Sequence, residues 1–247
     1  MIDVGFALDP GIRRRGRENQ DAIAVHPAAP GDHRPTLVVV ADGMGGYEGG
    51  AVASRLVVQS FGELYRQMTP QSRLLTALKE GVADAHAAMR RMAVQEPRLL
   101  QMGSTIAAAM MKDDKIALVN AGDSRAYLVT QAAMCQISHD HSYVGESVRR
   151  GLILSEEVRT HPRRSVLTMS ISVQREQVDL FSGEFDWQKG DRLLLCSDGL
   201  WSAVAEEQIH RVVMDLSPQQ AADELVRLAN ANQGPDNIAV VVARYIG

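Results

Sequence analysis

The sequence predicts an α+β domain in which stacked β-sheets are covered by outer helices. Three observations carry that reading. Thr36–Ala41, Arg192–Cys196 and Ile238–Tyr245 are unbroken apolar runs of strand length. Helical periodicity fills the stretches between them. Asp113-Asp114 separates two further strand-like runs, as a hairpin turn does.

Ala22–Val25 (AIAV) is a short strand directly after Asp21, and Thr36–Ala41 (TLVVVA) is a strand buried on both faces. Gly43–Gly50 is glycine-rich, and Ala53, Leu56, Val57 and Phe61 then recur at helical spacing. Pro70 precedes a second helix over Ser72–Met92, and Pro97 ends that pattern. Short strands are expected over Thr105–Met111, Ile116–Ala121, Ala126–Val129 and Met134–Ile137. Ser142–Pro162 is polar and reads as helix, while Val173–Phe185 reads as an edge strand. After the strand Arg192–Cys196 come helices over Glu206–Asp215 and Pro218–Asn230, then the closing strand Ile238–Tyr245.

The 247 residues exceed the usual size of one domain, yet large two-sheet domains reach it, and no repeat, low-complexity tract or long linker divides the chain. A single domain over 1–247 is expected. Apolar residues are 45% and aromatics only 4%, so aliphatic side chains and Met must fill the core. A net charge of −4 and one short basic run, Arg13-Arg14-Arg15 with Arg17, give no surface for nucleic acid. Cys135 and Cys196 both lie in apolar strand-like stretches, which suits buried, reduced thiols. Met1–Leu8 lacks a basic segment followed by an apolar one, and no run approaches the ~20 apolar residues of a membrane span. The expectation is a cytoplasmic monomer without membrane insertion.

The chemistry resides in aspartates. Asp42 follows TLVVVA and precedes Gly43; Asp198 follows RLLLC-Ser and precedes Gly199; Asp236 follows Gly234-Pro235 and precedes IAVVVARY. Each carboxylate thus sits at the end of a buried strand, where the backbone is rigid and adjacent glycines permit close approach. Asp21 and Asp123, the latter in Gly122-Asp123-Ser124-Arg125, add two more acids. A single Asp-Gly is most simply a turn. Three at strand ends point further, because converging carboxylates repel and are costly to desolvate unless neutralised. Hard divalent cations with oxygen ligands solve that problem, and neither cysteine has a partner at zinc-site spacing. Two such ions about 4 Å apart can share and activate a hydroxide. His139 and His141 flank Asp140 but suit a loop better than a metal triplet. Ser104 and Ser197 lack a nucleophile elbow.

Eight motifs stand in one order. They are Asn19-Gln20-Asp21-Ala22; Val40-Ala41-Asp42-Gly43-Met44-Gly45-Gly46 with Gly50, Ala53 and Ser54; Gly103-Ser104-Thr105; Gly122-Asp123-Ser124-Arg125-Ala126-Tyr127; Asp140-His141-Ser142; His161-Pro162-Arg163-Arg164 with Val166-Leu167-Thr168; Cys196-Ser197-Asp198-Gly199-Leu200-Trp201; and Asp236-Asn237-Ile238. In this order the chain, from about Asp3 to Tyr245, resembles the protein phosphatase 2C family of metal-dependent Ser/Thr phosphatases in its compact bacterial form.

The resemblance implies a four-layer α-β-β-α sandwich of two antiparallel sheets flanked by helix pairs, with a flap-like segment at about 142–170. It implies two Mn²⁺ or Mg²⁺ ions in the core site. Asp42 bridges them, the Gly43 carbonyl binds one, Asp198 and Asp236 ligate the other, and Asp21 acts through water. Asp123 matches an acid that helps hold a third, weaker ion, and Asn237 orients ligands. The implied reaction is in-line attack of a metal-bridging hydroxide on phosphoserine or phosphothreonine, without a phosphoenzyme. Implied partners are phosphorylated proteins and a Ser/Thr kinase. A catalytically silent relative that only binds its partner is the alternative, although such proteins usually lose metal aspartates.

Four departures stand out. The family places an arginine five residues before the first acid, where this chain has Gly16 between Arg15 and Arg17. On a strand those two point away from the position-16 face; a bulge restores Arg17, which is the preferred phosphate ligand, with Arg15 second. Met44 stands where animal members carry a histidine, so the proton donor is unassigned. Met169-Ser170-Ile171-Ser172 replaces the usual Arg-Ala-Leu-Gly after the flap, and Ser165 replaces a common asparagine.

Overall fold

Alternation along one strand sorts the molecule into layers. In Thr36–Met44, Val38 and Val40 face one way, while Leu37, Val39 and Ala41 face the other, and all five are buried. A strand covered on both faces lies between two apolar layers. The structure, a computed structural model, describes the whole chain except Pro30 and His33, and of Tyr47 the backbone alone.

The strands are β1 (Ile2–Asp9), β2 (Asp21–His26), β3 (Thr36–Met44), β4 (Gly103–Ser104), β5 (Ile106–Lys112), β6 (Lys115–Ala121), β7 (Arg125–Val129), β8 (Met134–Gln136), β9 (Ile171–Ser172), β10 (Phe181–Asp186), β11 (Arg192–Cys196) and β12 (Ile238–Tyr245). The helices are α1 (Gly46–Gln67), α2 (Leu74–Gln95), α3 (Tyr143–Arg149), α4 (Asp198–Trp201), α5 (Glu206–Asp215) and α6 (Pro218–Ala231). One sheet has the order β1-β12-β11-β7-β8; the other runs β10-β6-β5-β3-β4-β9, with β2 also on β3. Every pairing between these strands is antiparallel.

Three apolar clusters hold the layers. Val38, Val40, Ala107, Ala109 and Leu118 meet Leu193, Leu195, Ala239 and Val241 between the sheets. Leu37, Val39 and Ala41 pack on Val57 and Phe61 of α1 and on Val82 and Met89 of α2. Leu194, Cys196, Val240 and Val242 pack on Ile209 and Val213 of α5 and on Leu225 and Ala229 of α6. The result is the four-layer sandwich, helix pairs outermost. Each buried Val or Leu contributes about 1.5–3 kcal/mol. Local signals agree with the packing: α6 opens on a Ser217/Gln220 capping box with Pro218 at its first turn.

Several expectations need correction. β1 is a full edge strand, signalled by the alternation of Ile2, Val4, Phe6 and Leu8. Cys135 is exposed, because β8 is the outer strand of its sheet. The helix within Ser142–Pro162 covers only Tyr143–Arg149: Ser142 caps it, accepting from the Gly145 amide at 3.1 Å, and Gly151, in the left-handed region, follows its end. The edge strand within Val173–Phe185 begins only at Phe181. Among the described residues no helix is long and apolar enough to cross a membrane.

Candidate metal centre

The layer order places strand ends at one rim of the sandwich. β2 and β3 pair in a register that sets Asp21 directly opposite Asp42. Side chains so placed stand about 5 Å apart at Cβ, and like charges there repel. On the other sheet, β11 ends at Cys196 and Asp198 opens α4, while Asp236 precedes β12, the neighbour of β11. Ser197 joins the two sheets: its hydroxyl donates to Asp21 Oδ2 at 2.7 Å and accepts from the Ala239 amide at 2.9 Å.

Asn237 fastens the rest. Its Oδ1 accepts from the Gln20 amide at 2.9 Å, and its Nδ2 donates to the Pro10 carbonyl at 2.9 Å. The Gln20 carbonyl in turn accepts from the Gly43 amide at 3.0 Å. One amide side chain therefore ties the arginine-rich loop, β2 and the head of β12 together. Thr105 holds Asp42 from the other side, donating its amide to the Asp42 carbonyl at 2.8 Å and accepting from the Asp42 amide at 3.1 Å.

Glycines set the spacing. A Cβ at Gly43 would lie 1.9 Å from the Gly50 carbonyl oxygen, so β3 and α1 approach only because both positions lack side chains. A Cβ at Gly199 would lie 1.9 Å from the Asn237 carbonyl oxygen. Gly199→Ala should push the start of α4 from β12 and so move Asp198 away from Asp236. A destabilisation of about 1–3 kcal/mol is expected, as for other overpacked sites. Thermal melts check it, and Mn²⁺ titration should show weakened binding in the same variant.

The electrostatics record the crowding. Burial pushes the Asp21 carboxyl up from its ordinary 3.8 to about 8, with the Asp198 and Asp236 charges adding to it against the Ser197 hydrogen bond. Burial likewise raises Asp42, reinforced by Asp21 and Asp198, and raises Asp123, reinforced by Asp198 and Asp140. Asp198 rises to about 6 by burial and the Asp236 charge, against Arg14, Arg164 and Arg125. Asp21 Oδ1 and Asp198 Oδ1 are buried without any hydrogen-bond partner. Orphaned carboxylate oxygens in a shared, like-charged pocket are what a hard cation would satisfy.

The donor set fits Mg²⁺ or Mn²⁺ better than Zn²⁺. Oxygen donors dominate, and among the described residues no three His, Cys, Asp or Glu side chains form a ready-made cage. Mg²⁺ is typically held by one or two carboxylates with water completing the shell. Asp21, Asp42, Asp198 and Asp236, which act on one another through space, with the adjacent Gly43 carbonyl, match that habit.

Removing cations should leave a pH signature. A carboxyl raised in the fold favours folding fully below its unfolded value near 3.8, and that contribution is lost as pH rises through its folded value, about 8 for Asp21. In EDTA the melting temperature should therefore fall between about pH 4 and 8. Asp21→Asn should flatten that slope, and Mn²⁺ should stabilise the parent more at pH 8 than at pH 5. Differential scanning fluorimetry across pH reads all three.

The arginines differ from expectation. Ile12–Arg14 form a 3₁₀ turn instead of a strand, bounded by Gly11 at φ 74° and Gly16 at φ 81°. A Cβ at Gly11 would lie 2.0 Å from the Asp236 carbonyl oxygen, so this glycine lets the loop lie against the Asp236 backbone. The turn sends Arg14 into the site, its guanidinium 2.8 Å from Asp236 Oδ2. Arg17 lines the same cleft, of about 260 Å³, with Arg14, Glu18, Gln20 and Gly46. Arg15 is exposed and does not line it. Arg14 is thus the residue that strand reasoning passed over, and the flanking glycines were the available signal.

Asp123 sits on the loop between β6 and β7. Its carbonyl accepts from the Trp201 indole at 2.9 Å, and the Arg125 guanidinium lies 3.8 Å over that indole. Arg125 is buried and forks onto Asp140, with contacts of 2.7 to 3.1 Å. His139 packs against Phe181 with its ring tilted by 31°, while the His141 amide donates to the Gly122 carbonyl. The two histidines form no metal triplet with Asp140.

Known proteins share this arrangement of chain and fold. The family model described as protein phosphatase 2C matches residues 10–233. The serine/threonine phosphatase stp of Listeria monocytogenes is 35% identical over 245 residues, covering 96% of this chain and 93% of that one. The crystal structure of the Mycobacterium tuberculosis serine/threonine phosphatase PstP superposes with a TM-score of 0.88 at 33% identity, covering 100% of this chain and 99% of that one. A structure of the PstP catalytic domain in complex with 2 manganese ions gives 0.85 at 32% identity, with the same coverage. With ordered motifs, the four-layer sandwich and full-length similarity in agreement, this chain belongs to the protein phosphatase 2C family.

Proposed function

We propose that this protein is a metal-dependent phosphatase that hydrolyses phosphoserine and phosphothreonine in other proteins. The observation that carries the reading is the facing pair Asp21 and Asp42, with Asp198 and Asp236 acting on both through space. Asp42, the Gly43 carbonyl, Asp198 and Asp236 would hold two Mn²⁺ or Mg²⁺ ions, Asp21 would hold their water, and Asp123 would serve a third. When bound, such ions lower the pKa of water and offset charge developing on phosphoryl oxygens. The protein's own groups do the rest. Arg14 and Arg17, which line the cleft together, grip phosphate oxygens there, and Arg14 is set closest to the acids because its guanidinium reaches Asp236. Asn237 and Ser197 fix the acids in place.

Residues 142–170 act as a flap on this single domain. A bridge between Ser142 and Leu167 and the Tyr143 amide bond to the Val166 carbonyl support a closed base, and the Arg164 charge acts on Asp198. The substrate's phosphate must be installed by a Ser/Thr kinase, so such a kinase and its targets are the partners. The unpaired thiols of Cys135 and Cys196 favour a reducing, cytoplasmic setting.

Purified protein with Mn²⁺ should release phosphate from a phosphothreonine peptide, stop in EDTA, and recover with added metal. No turnover above buffer would leave only the silent, partner-binding reading. Faster hydrolysis of nucleotides than of phosphopeptides would reassign the substrate class.

A further inference from the structure

Thr105 sits where two strand ladders stop. β5 runs between β3 and β6, and its ladders end where Val40 meets Ala107 and where Ile106 meets Ala121. Just beyond stand Asp42 on one side and, on the other, the loop of residues 122–124 that carries Asp123. A regular ladder would pair the Asp42 amide with the Thr105 main-chain carbonyl. That carbonyl instead accepts from the Ser104 hydroxyl at 2.8 Å, and the Asp42 amide donates to Thr105 Oγ1 at 3.1 Å. The same Oγ1 lies 2.7 Å from Ser124 Oγ, with either hydroxyl able to donate, and both residues are buried. The methyl side fits as closely. Gly122 lies in the left-handed region at φ 104°, and a Cβ there would stand 2.6 Å from Thr105 Cβ and Cγ2. Behind the loop, the Trp201 indole of α4 donates to the Asp123 carbonyl at 2.9 Å. One side chain therefore joins the main chain of one metal acid to the residue beside another.

We propose that Thr105 and Ser124 are positioning residues whose hydroxyl pair fixes Asp123 relative to Asp42, and so couples the ion at Asp123 to the core pair. The proposal rests on the metal-dependent phosphatase reading above and deepens it. Both hydroxyls are buried, so they act on substrate only through the acids. Thr105 supports both acids, through its bond from Asp42 and its contacts with Ser124 and Gly122, whereas Ser124 supports Asp123 alone. Valine would keep the shape of Thr105 and lose both bonds; serine would keep the bonds and lose the methyl.

The test titrates the full-length protein with Mn²⁺ and follows the free ion by electron paramagnetic resonance. The parent should show a tight class for the core pair and a weaker class for the ion at Asp123. Ser124→Ala should weaken the weaker class about tenfold and leave the tight class unchanged. Thr105→Val should weaken both, the weaker class by about ten- to a hundredfold, and Thr105→Ser should return the tight class to the parent value. On a phosphothreonine peptide, the Mn²⁺ concentration giving half-maximal kcat should rise in each variant by the factor its weaker class has lost, with KM unchanged. Variants that melt lower yet bind Mn²⁺ in both classes as the parent does would overturn the proposal and make the pair a support for the fold alone. So would a Ser124→Ala variant that weakens both classes by one factor. If Thr105→Val does not fold, Ser124→Ala decides by itself. A parent with the tight class alone would overturn the proposal and leave the phosphatase reading standing; a parent that binds no Mn²⁺ would remove both.

Discussion

Asp198→Asn should lower kcat/KM on a phosphothreonine peptide by about a thousandfold or more, beyond the ten- to hundredfold typical of a residue that only supports a metal ligand. The side chain is half-buried at the start of α4, and its Oδ1 is buried without a hydrogen-bond partner. Asparagine keeps the shape and removes the charge, so a cation would lose an anionic ligand while the local fold stays. The sign of the stability change separates this from misfolding. Burial and the Asp236 charge hold the Asp198 carboxyl up at about 6, so at pH 8 the metal-free fold pays for its ionisation. In EDTA at pH 8 the variant should melt higher than the parent, while in Mn²⁺ it should melt lower. An active variant, or one destabilised under both conditions, would contradict the reading of Asp198 as a ligand.

Asp140→Ala should cost about 3–5 kcal/mol of stability, because it strands a buried arginine without its partner. Arg125 is buried, forks onto Asp140, donates to the Tyr127 hydroxyl at 2.9 Å and stacks on Trp201. Glu206 is 3.9 Å away and half exposed, too remote to replace the lost carboxylate. For a chain of this size the loss is worth roughly 10 °C in melting temperature. Removing both charges together, as Arg125→Met with Asp140→Leu, should recover much of that loss, since hydrophobic replacement of a buried pair is often neutral. Denaturant unfolding of the two single variants and the double variant measures the coupling. A single variant within 1 kcal/mol of the parent would mean that water reaches the pair (roughly the range of an exposed ion pair).

The strands Thr36–Ala41, Arg192–Cys196 and Ile238–Tyr245 were legible because a strand covered on both faces must be apolar throughout, whatever its neighbours. The helix pairs were legible because each presents one apolar stripe. The segment Ser142–Pro162 resisted: it is polar, and only the Ser142 cap and Gly151 mark the short helix inside it. Cys135 misled because an edge strand is apolar on one side yet leaves the other to solvent. Arg14 was missed because Gly11 and Gly16 turn a run of arginines into a 3₁₀ turn, which sends a different residue inward than a strand does.

Fold class and family membership were legible along the chain, since residue type and order already carry buried strands, helix faces and the Asp-Gly strand ends that single out candidate acids. That Asp21 faces Asp42, that Ser197 and Asn237 tie the two sheets together, and that Arg14 reaches Asp236 emerged from the folded chain alone. The physical reason is separation: Asp21 and Ser197 are 176 residues apart, and Arg14 and Asp236 are 222 apart. Local periodicity says nothing about such pairs; strand register and the packing of one sheet on the other fix them.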